Sequence, residues 1–262
     1  MLIESEIRMK TIEEKENELF TLWESEFEKN GDTGFCRDGL IFNGTLYNDD
    51  KNRESGNQED LWFKAKRKVV FFMKEANKNE GEDYREWGLY GETSATFFRF
   101  IYSWLNGLST VGSEGIIPPM VTTLDTSMPL CIVNAKKKSG GSTASYNEIY
   151  DHVNKYKDLL KQQLDIYSPN ILVCGGSWKM ANIAKELYSG VTDFVKMEDS
   201  NWIWYSVEKK LILIDSYHPS APGITNEEKY DTLIEHFQKF LRLKKFDLRG
   251  SGAIENYPQK DQ

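Results

Sequence analysis

Four short stretches of this 262-residue chain place polar, chemistry-capable side chains directly after an apolar run. The first, Lys74-Glu75-Ala76-Asn77-Lys78-Asn79, follows Val69 to Met73. A carboxylate there could orient a water, with Asn77 or Asn79 as a hydrogen-bonding neighbour. A solvated polar loop accounts for the same residues. The second, Asn134 to Ser142, follows Leu130 to Val133. The Asn134 amide carries both a donor and an acceptor, which suits the edge of a nucleobase. Lys136, Lys137 and Lys138 could neutralise phosphate, and Gly140-Gly141 would let a backbone approach closely. A basic turn with a glycine hinge fits equally well.

The third stretch, Gly175-Gly176-Ser177-Trp178, follows Ile171 to Cys174 and runs into a helical pattern. Tight strand-to-helix packing explains it more simply than an anion at the helix N-terminus. The fourth, Asp215 to Gly223, follows Leu211 to Ile214 and holds His218 in a loop with two prolines. Most lone histidines are structural, but a strand aims this one at a pocket mouth. There it could polarise a carbonyl oxygen or stabilise a developing anion. His152 and His236 fall on helical patterns and read as surface or packing residues.

The elements that must position these stretches are legible from periodicity. The four apolar runs are almost continuous, as expected for parallel strands covered on both faces. Helical spacing runs over Thr93–Asn106, Tyr146–Tyr167 and Ser177–Tyr188, and capping boxes open helices at Thr11 and Thr225. Asn201 to Val207 predicts a hairpin strand before Leu211. Strands alternating with helices predict a three-layer α/β/α fold around a central, mainly parallel four-stranded sheet. Ligands of such sheets bind beyond the carboxyl ends of the strands, where the four polar stretches lie. The expected organisation is an N-terminal helical extension and loop over 1–60, one domain over 61–248 and a disordered tail over 249–262. Asn48 to Gln58 reads as a mobile loop.

Composition narrows the classes. A net charge of −8 counts against a highly basic, nonspecific nucleic-acid binder but leaves room for a DNA enzyme with local positive patches. The three cysteines, Cys36, Cys131 and Cys174, are widely separated and include no CxxC, so no disulfide framework, zinc site or iron–sulfur cluster is expected. Cys131 and Cys174 read as buried small hydrophobes. No metal and no cofactor are expected. No apolar run approaches the ~20 residues of a membrane span, and the acidic N-terminus lacks a signal peptide's apolar stretch, so the expected location is cytoplasmic. A nucleophile elbow and a P-loop are both missing from the sequence.

Taken in order, the four stretches resemble the uracil-DNA glycosylase superfamily. His218-Pro219-Ser220 followed by Ala221-Pro222-Gly223 is similar to its HPSP-type loop, and Leu130 to Asn134 to its LLLN segment. Ile171 to Gly176 resembles the strand and glycine turn before its third crossover. Phe72-Met-Lys-Glu-Ala76 resembles its first motif, GQDPYH-like in one branch and GEAPG-like in others. The likeness runs as short islands between about Lys68 and Leu241.

The resemblance implies a uracil-DNA glycosylase-like fold and hydrolysis of the N-glycosidic bond of an altered base in nucleic acid, after base flipping. It implies DNA or another nucleic acid as partner and a role in DNA repair. Glu75 would position or activate the attacking water. Asn134 would hydrogen-bond the base, with Asn77 nearby. His218 would face the base carbonyl that gains negative charge. Trp87 is favoured over Tyr84 and Tyr90 as the stacking ring. Lys136, Lys137, Lys138 and Ser220 would contact phosphate. Lys239, Arg242, Lys244 and Lys245 could do so too, although the solvated end of a helix explains them more simply. The chain departs from the family at Lys74, in place of a glycine-like position, at Ala76-Asn77, in place of a proline-containing pair, and at Pro222-Gly223, where a large apolar wedge is missing. The altered first motif and the acidic balance motivate an alternative: a non-catalytic module of the same fold that binds a nucleobase or nucleotide. An unrelated α/β hydrolase or phosphate binder is the remaining reading.

Overall fold

Every side chain of Val69–Phe72, Cys131–Val133, Ile171–Cys174 and Leu211–Ile214 is buried, as their unbroken apolar runs require of strands covered on both faces. The computed structural model describes residues 9–42, 56–77, 80–89, 96–121, 127–140, 145–245 and 248. Its strands are β1 (Gly39–Leu40), β2 (Val69–Asn77), β3 (Cys131–Gly140), β4 (Ile171–Gly175), β5 (Val195–Lys196), β6 (Ile203–Ser206) and β7 (Leu211–Ser216). They form one sheet in the order β1-β3-β2-β4-β7-β6-β5. The inner four are parallel, and β1, β6 and β5 pair antiparallel at the edges.

Among the described residues the sheet therefore has seven strands, not the expected four. The predicted hairpin partner is β6, while β1 and β5 are two-residue strands too short to leave a periodic signal. β2 and β3 also run further than their apolar cores. Their ladder continues through Met73↔Asn134 and Glu75↔Lys136 to an irregular step at Asn77↔Gly140. The lysine run, for which a basic turn is one of the two readings, is thus strand, held by its partner's hydrogen bonds despite its polarity.

The helices are α1 (Ile12–Lys29), α2 (Gln58–Lys64), α3 (Thr96–Thr110), α4 (Tyr146–Lys155), α5 (Lys157–Tyr167), α6 (Trp178–Leu187) and α7 (Asn226–Arg242), with a 3-10 turn at Tyr84–Leu89. Both capping boxes form, at Thr11 with Glu14 and at Thr225 with Glu228. The helix expected over Tyr146–Tyr167 is broken at Tyr156, whose φ of −120° leaves the helical range. α1, α4, α5 and α6 cover one face of the sheet, sharing a core with Val70, Phe72, Val133, Leu172 and Leu213. α3 and α7 cover the other, over Phe71, Met73, Ile132, Val173 and Ile214. Each fully buried Phe or Leu contributes ~1.5–3 kcal/mol relative to exposure. Phe20 and Trp23 of α1 are fully buried in the first core, so the N-terminal helix packs as part of that layer.

Cys36, Cys131 and Cys174 are buried and none of them forms a disulfide with a described residue. No helix among the described residues is long and apolar enough to cross a membrane. The C-terminal stretch 249–262 and most of the loop read at 48–58 lie outside the described residues.

Candidate functional site

In the parallel order β3-β2-β4-β7, Asn134 lies inside β3 level with Met73, Glu75 lies two residues further along β2 level with Lys136, Gly175 ends β4 level with Ser216, and His218 lies two residues past the end of β7. Alternation along a strand decides which face each side chain takes. Met73 packs in the core under α3 and α7, while Lys74, next along β2, goes to the opposite face. There its ammonium sits 5.5 Å from the ring centre of Tyr146. Burial lowers the Lys74 pKa, against the pull of the neighbouring Glu75.

Glu75 is not free. Its Oε2 lies 2.7 Å from Lys136 Nζ, which also reaches Glu148 Oε2 at 3.2 Å. Burial alone would lower the Lys136 ammonium, but the two carboxylates outweigh it and raise its pKa. Gly140 gives the carboxylate its space: a Cβ there would run into the Glu75 side chain.

Asn134 is buried, and both its backbone N–H and its Nδ2 donate to Asp38 Oδ2 at 3.0 Å. Asp38 in turn accepts from Lys137 Nζ and from Gln163 Nε2. The three lysines read together from the sequence therefore differ. Lys136 is held between Glu75 and Glu148, and Lys137 is fully buried against Asp38. Lys138 is half-buried, with its backbone bridged to Phe35, and forms no ion pair with the described residues. Of the three, only Lys138 has an ammonium left for a phosphate.

His218 is half-buried at the end of β7. Its Nδ1 accepts the Ser220 backbone N–H at 3.1 Å, which assigns the proton of the neutral ring to Nε2. Burial, assisted by the Lys74 and Lys229 ammoniums, lowers its pKa to about 4, so at neutral pH the ring is an uncharged Nε2–H donor. Phe97 packs on it, ring centres 5.9 Å apart. Lys229 holds the loop by donating to the Ala221 carbonyl at 2.6 Å and the Pro219 carbonyl at 3.4 Å. The Ser220 side chain is exposed.

Trp87 lies in the 3-10 turn and Asn77 ends β2, but the side chains of both fall outside the described residues, as do Lys78, Asn79 and Tyr90. Tyr84 is buried against Cys36 and Ala76. A groove of about 580 Å³ lined by Ile12, Leu19, Phe63, Lys68 and Tyr167 lies at the amino ends of the strands, away from these residues.

These strand ends carry, in one row, an amide, a carboxylate and a neutral imidazole. The chain is similar to a type-4 uracil-DNA glycosylase. It is 27% identical to that protein of Sulfurisphaera tokodaii over 93 residues, a stretch that covers 36% of this chain and 42% of the relative. The match thus spans less than half the length of that protein. No family model matches the chain.

The donors present do not suit a cysteine-held cluster. Three cysteines are one short of four, and burial raises the pKa of each thiol. Among the described residues no group of three or more His, Cys, Asp or Glu could hold a metal ion. Sequence reasoning missed Asp38 and Lys229. Asp38 precedes Asn134 by 96 residues, and Lys229 reads as an ordinary cation on a helix face.

Proposed function

We propose that this protein is a divergent uracil-DNA-glycosylase-like hydrolase that cleaves the N-glycosidic bond of an altered base in nucleic acid. The observation that carries the reading is His218: a neutral imidazole, held by Ser220 N–H with its Nε2–H free to donate, on the same sheet edge as Asn134 and Glu75. The partial match to a type-4 uracil-DNA glycosylase supports the same reaction class.

In this mechanism the base is flipped out of the stack and its edge pairs with Asn134. Water oxygen forms a bond to the anomeric carbon as the bond from that carbon to the base nitrogen breaks. The bonding pair leaves with the base and spreads onto its carbonyl oxygen, where the His218 Nε2–H stabilises it. The Glu75 carboxylate stands for the opposite charge, on the sugar, and orients the water. The proton released by the water goes to the departing base or to solvent. Lys138 and Ser220 serve the phosphate backbone, and the cleaved product is an abasic site, as in DNA repair.

The test is release of free base from single- and double-stranded DNA carrying uracil or other altered bases. His218→Ala and Glu75→Gln are each expected to slow release by roughly 10²-fold or more. No release across the panel would sink the enzyme reading. The Glu75–Lys136 ion pair favours a second reading, a base-binding module of the same fold, because an ammonium already occupies the carboxylate. Tight, salt-dependent binding without release would establish that reading instead.

A further inference from the structure

We propose that Asp38 is a positioning residue that fixes which way round the Asn134 amide faces the pocket, and so sets the donor–acceptor order in which the site reads a base. The inference rests on the base-reading role given to Asn134 and names what controls it.

The Asp38 carboxylate lies just before β1 and meets only donors. Its Oδ2 takes the Asn134 backbone N–H and Nδ2, each at 3.0 Å. Its Oδ1 takes Lys137 Nζ and Gln163 Nε2, the latter at 3.1 Å, and Gln163 Nε2 also reaches the Asp38 backbone carbonyl at 2.8 Å. Asp38 is 1% exposed and Lys137 0%. A carboxylate paired with an ammonium can only accept, so the Asn134 group facing it must be the NH2. Turned over, the Asn134 Oδ1 would oppose Asp38 Oδ2, and a buried hydrogen bond would become a buried repulsion.

One oxygen takes both the backbone N–H and the side-chain amide of Asn134. The amide hydrogen it takes is therefore the one on the Cβ side. The other hydrogen and Oδ1 remain side by side. Oδ1 accepts nothing from the described residues and is not a fully buried orphan, so it keeps some contact with solvent although Asn134 as a whole is buried. A lactam edge presents N–H beside C=O, and an amidine edge presents ring N beside N–H, so the two offer donor and acceptor in opposite orders. With the base seated against His218, an amide of fixed sense pairs both points with one of them only.

Asp38→Asn tests this directly. Lys137 and Gln163 still donate from one side and the fixed Asn134 backbone N–H from the other, and the single oxygen of the substituted amide cannot serve both. The Asn134 side-chain amide thereby loses the all-acceptor partner that fixes its sense. The probes are oligonucleotides of abasic spacers carrying one uracil or one cytosine, 2′-fluorinated so that the glycosidic bond holds. Wild type is expected to prefer one base by about tenfold or more, and Asp38→Asn to lose that preference. Should the single variant fail to fold with Lys137 unpaired, Asp38→Asn/Lys137→Met removes both buried charges and is expected to bring the ratio towards one. An unchanged ratio in either folded variant overturns the proposal.

Hydrogen exchange of the Asn134 side-chain amide by NMR reads the same restraint without a ligand. In wild type the Cβ-side hydrogen should exchange more slowly than its partner, and the difference should vanish in the double variant. If wild type binds neither oligonucleotide, the base-reading role fails while the exchange result still decides the role of Asp38. Equal exchange of both hydrogens in wild type refutes that role whatever the binding shows.

Discussion

Along β3, from Asn134 to Lys137, the side chains are held by charge. Asn134 leans on Asp38, Asp38 on Lys137, and Lys136 stands between Glu75 and Glu148. At the end of β7 the loop is held through its backbone: His218 receives the Ser220 N–H, and Lys229 donates to the carbonyls of Pro219 and Ala221. Both arrangements point polar groups at the same sheet edge. They differ in what disrupts them. A buried ion pair fails when one partner goes, because the survivor is left charged in a medium that solvates it poorly. In the β7 loop the groups held are backbone N–H and carbonyls, so loss of a side chain that takes no part in the hold, such as the exposed Ser220 hydroxyl, is tolerated.

The sharpest way to break this contrast is to remove one side chain from each region. Lys137→Ala strands the Asp38 carboxylate and is expected to destabilise the protein by about 3 kcal/mol or more, read as a lower urea midpoint. Ser220→Ala keeps the N–H that holds His218 and should shift the midpoint by less than ~0.5 kcal/mol. Comparable losses in the two variants would erase the distinction.

A smaller effect separates His218 from Asp215, one residue beyond the apolar run of β7. Burial lowers His218 to about 4 from an ordinary 6.5. Between those values the unfolded chain binds more protons, so this group makes stability rise with pH. Burial raises Asp215 to about 6 from 3.8, against a weaker pull from the Ser216 backbone N–H and Lys185, and its Oδ1 has no hydrogen-bond partner. Between 3.8 and 6 the folded chain binds more protons, so this group makes stability fall as pH rises. Melting temperatures from pH 4 to 7 should show Asp215→Asn gaining on wild type as pH rises, by about 1–2 kcal/mol at neutrality. His218→Gln should gain on wild type as pH falls. A parallel pH profile in all three proteins would contradict both assignments.

How much of this was legible in the sequence follows from the same physics. The four inner strands, both capping boxes and the β6 hairpin strand declare themselves through apolar runs and local spacing. The extension of β3 through Lys136–Lys138 does not, because three lysines in a row fit a basic turn or a phosphate contact equally well until Glu75 and Asp38 supply their partners. That Asn134, Glu75 and His218 follow apolar runs was readable; the order of their strands across the sheet was not. The ties that orient them were not: Asp38 lies 96 residues from Asn134, and Glu75 lies 61 from Lys136. Such pairs have no local signature. The break at Tyr156 also escaped, since the apolar spacing continues across it.

The central claim is that Asn134 and His218 face one base. The most direct test titrates ¹⁵N-labelled protein with the 2′-fluorinated uracil oligonucleotide while following the Asn134 Nδ2 and His218 Nε2 resonances together. One shared pocket predicts that both shift with a single midpoint and that Asn134→Ala abolishes the His218 shift. Movement of only one resonance, or of the two with separate midpoints, would contradict it.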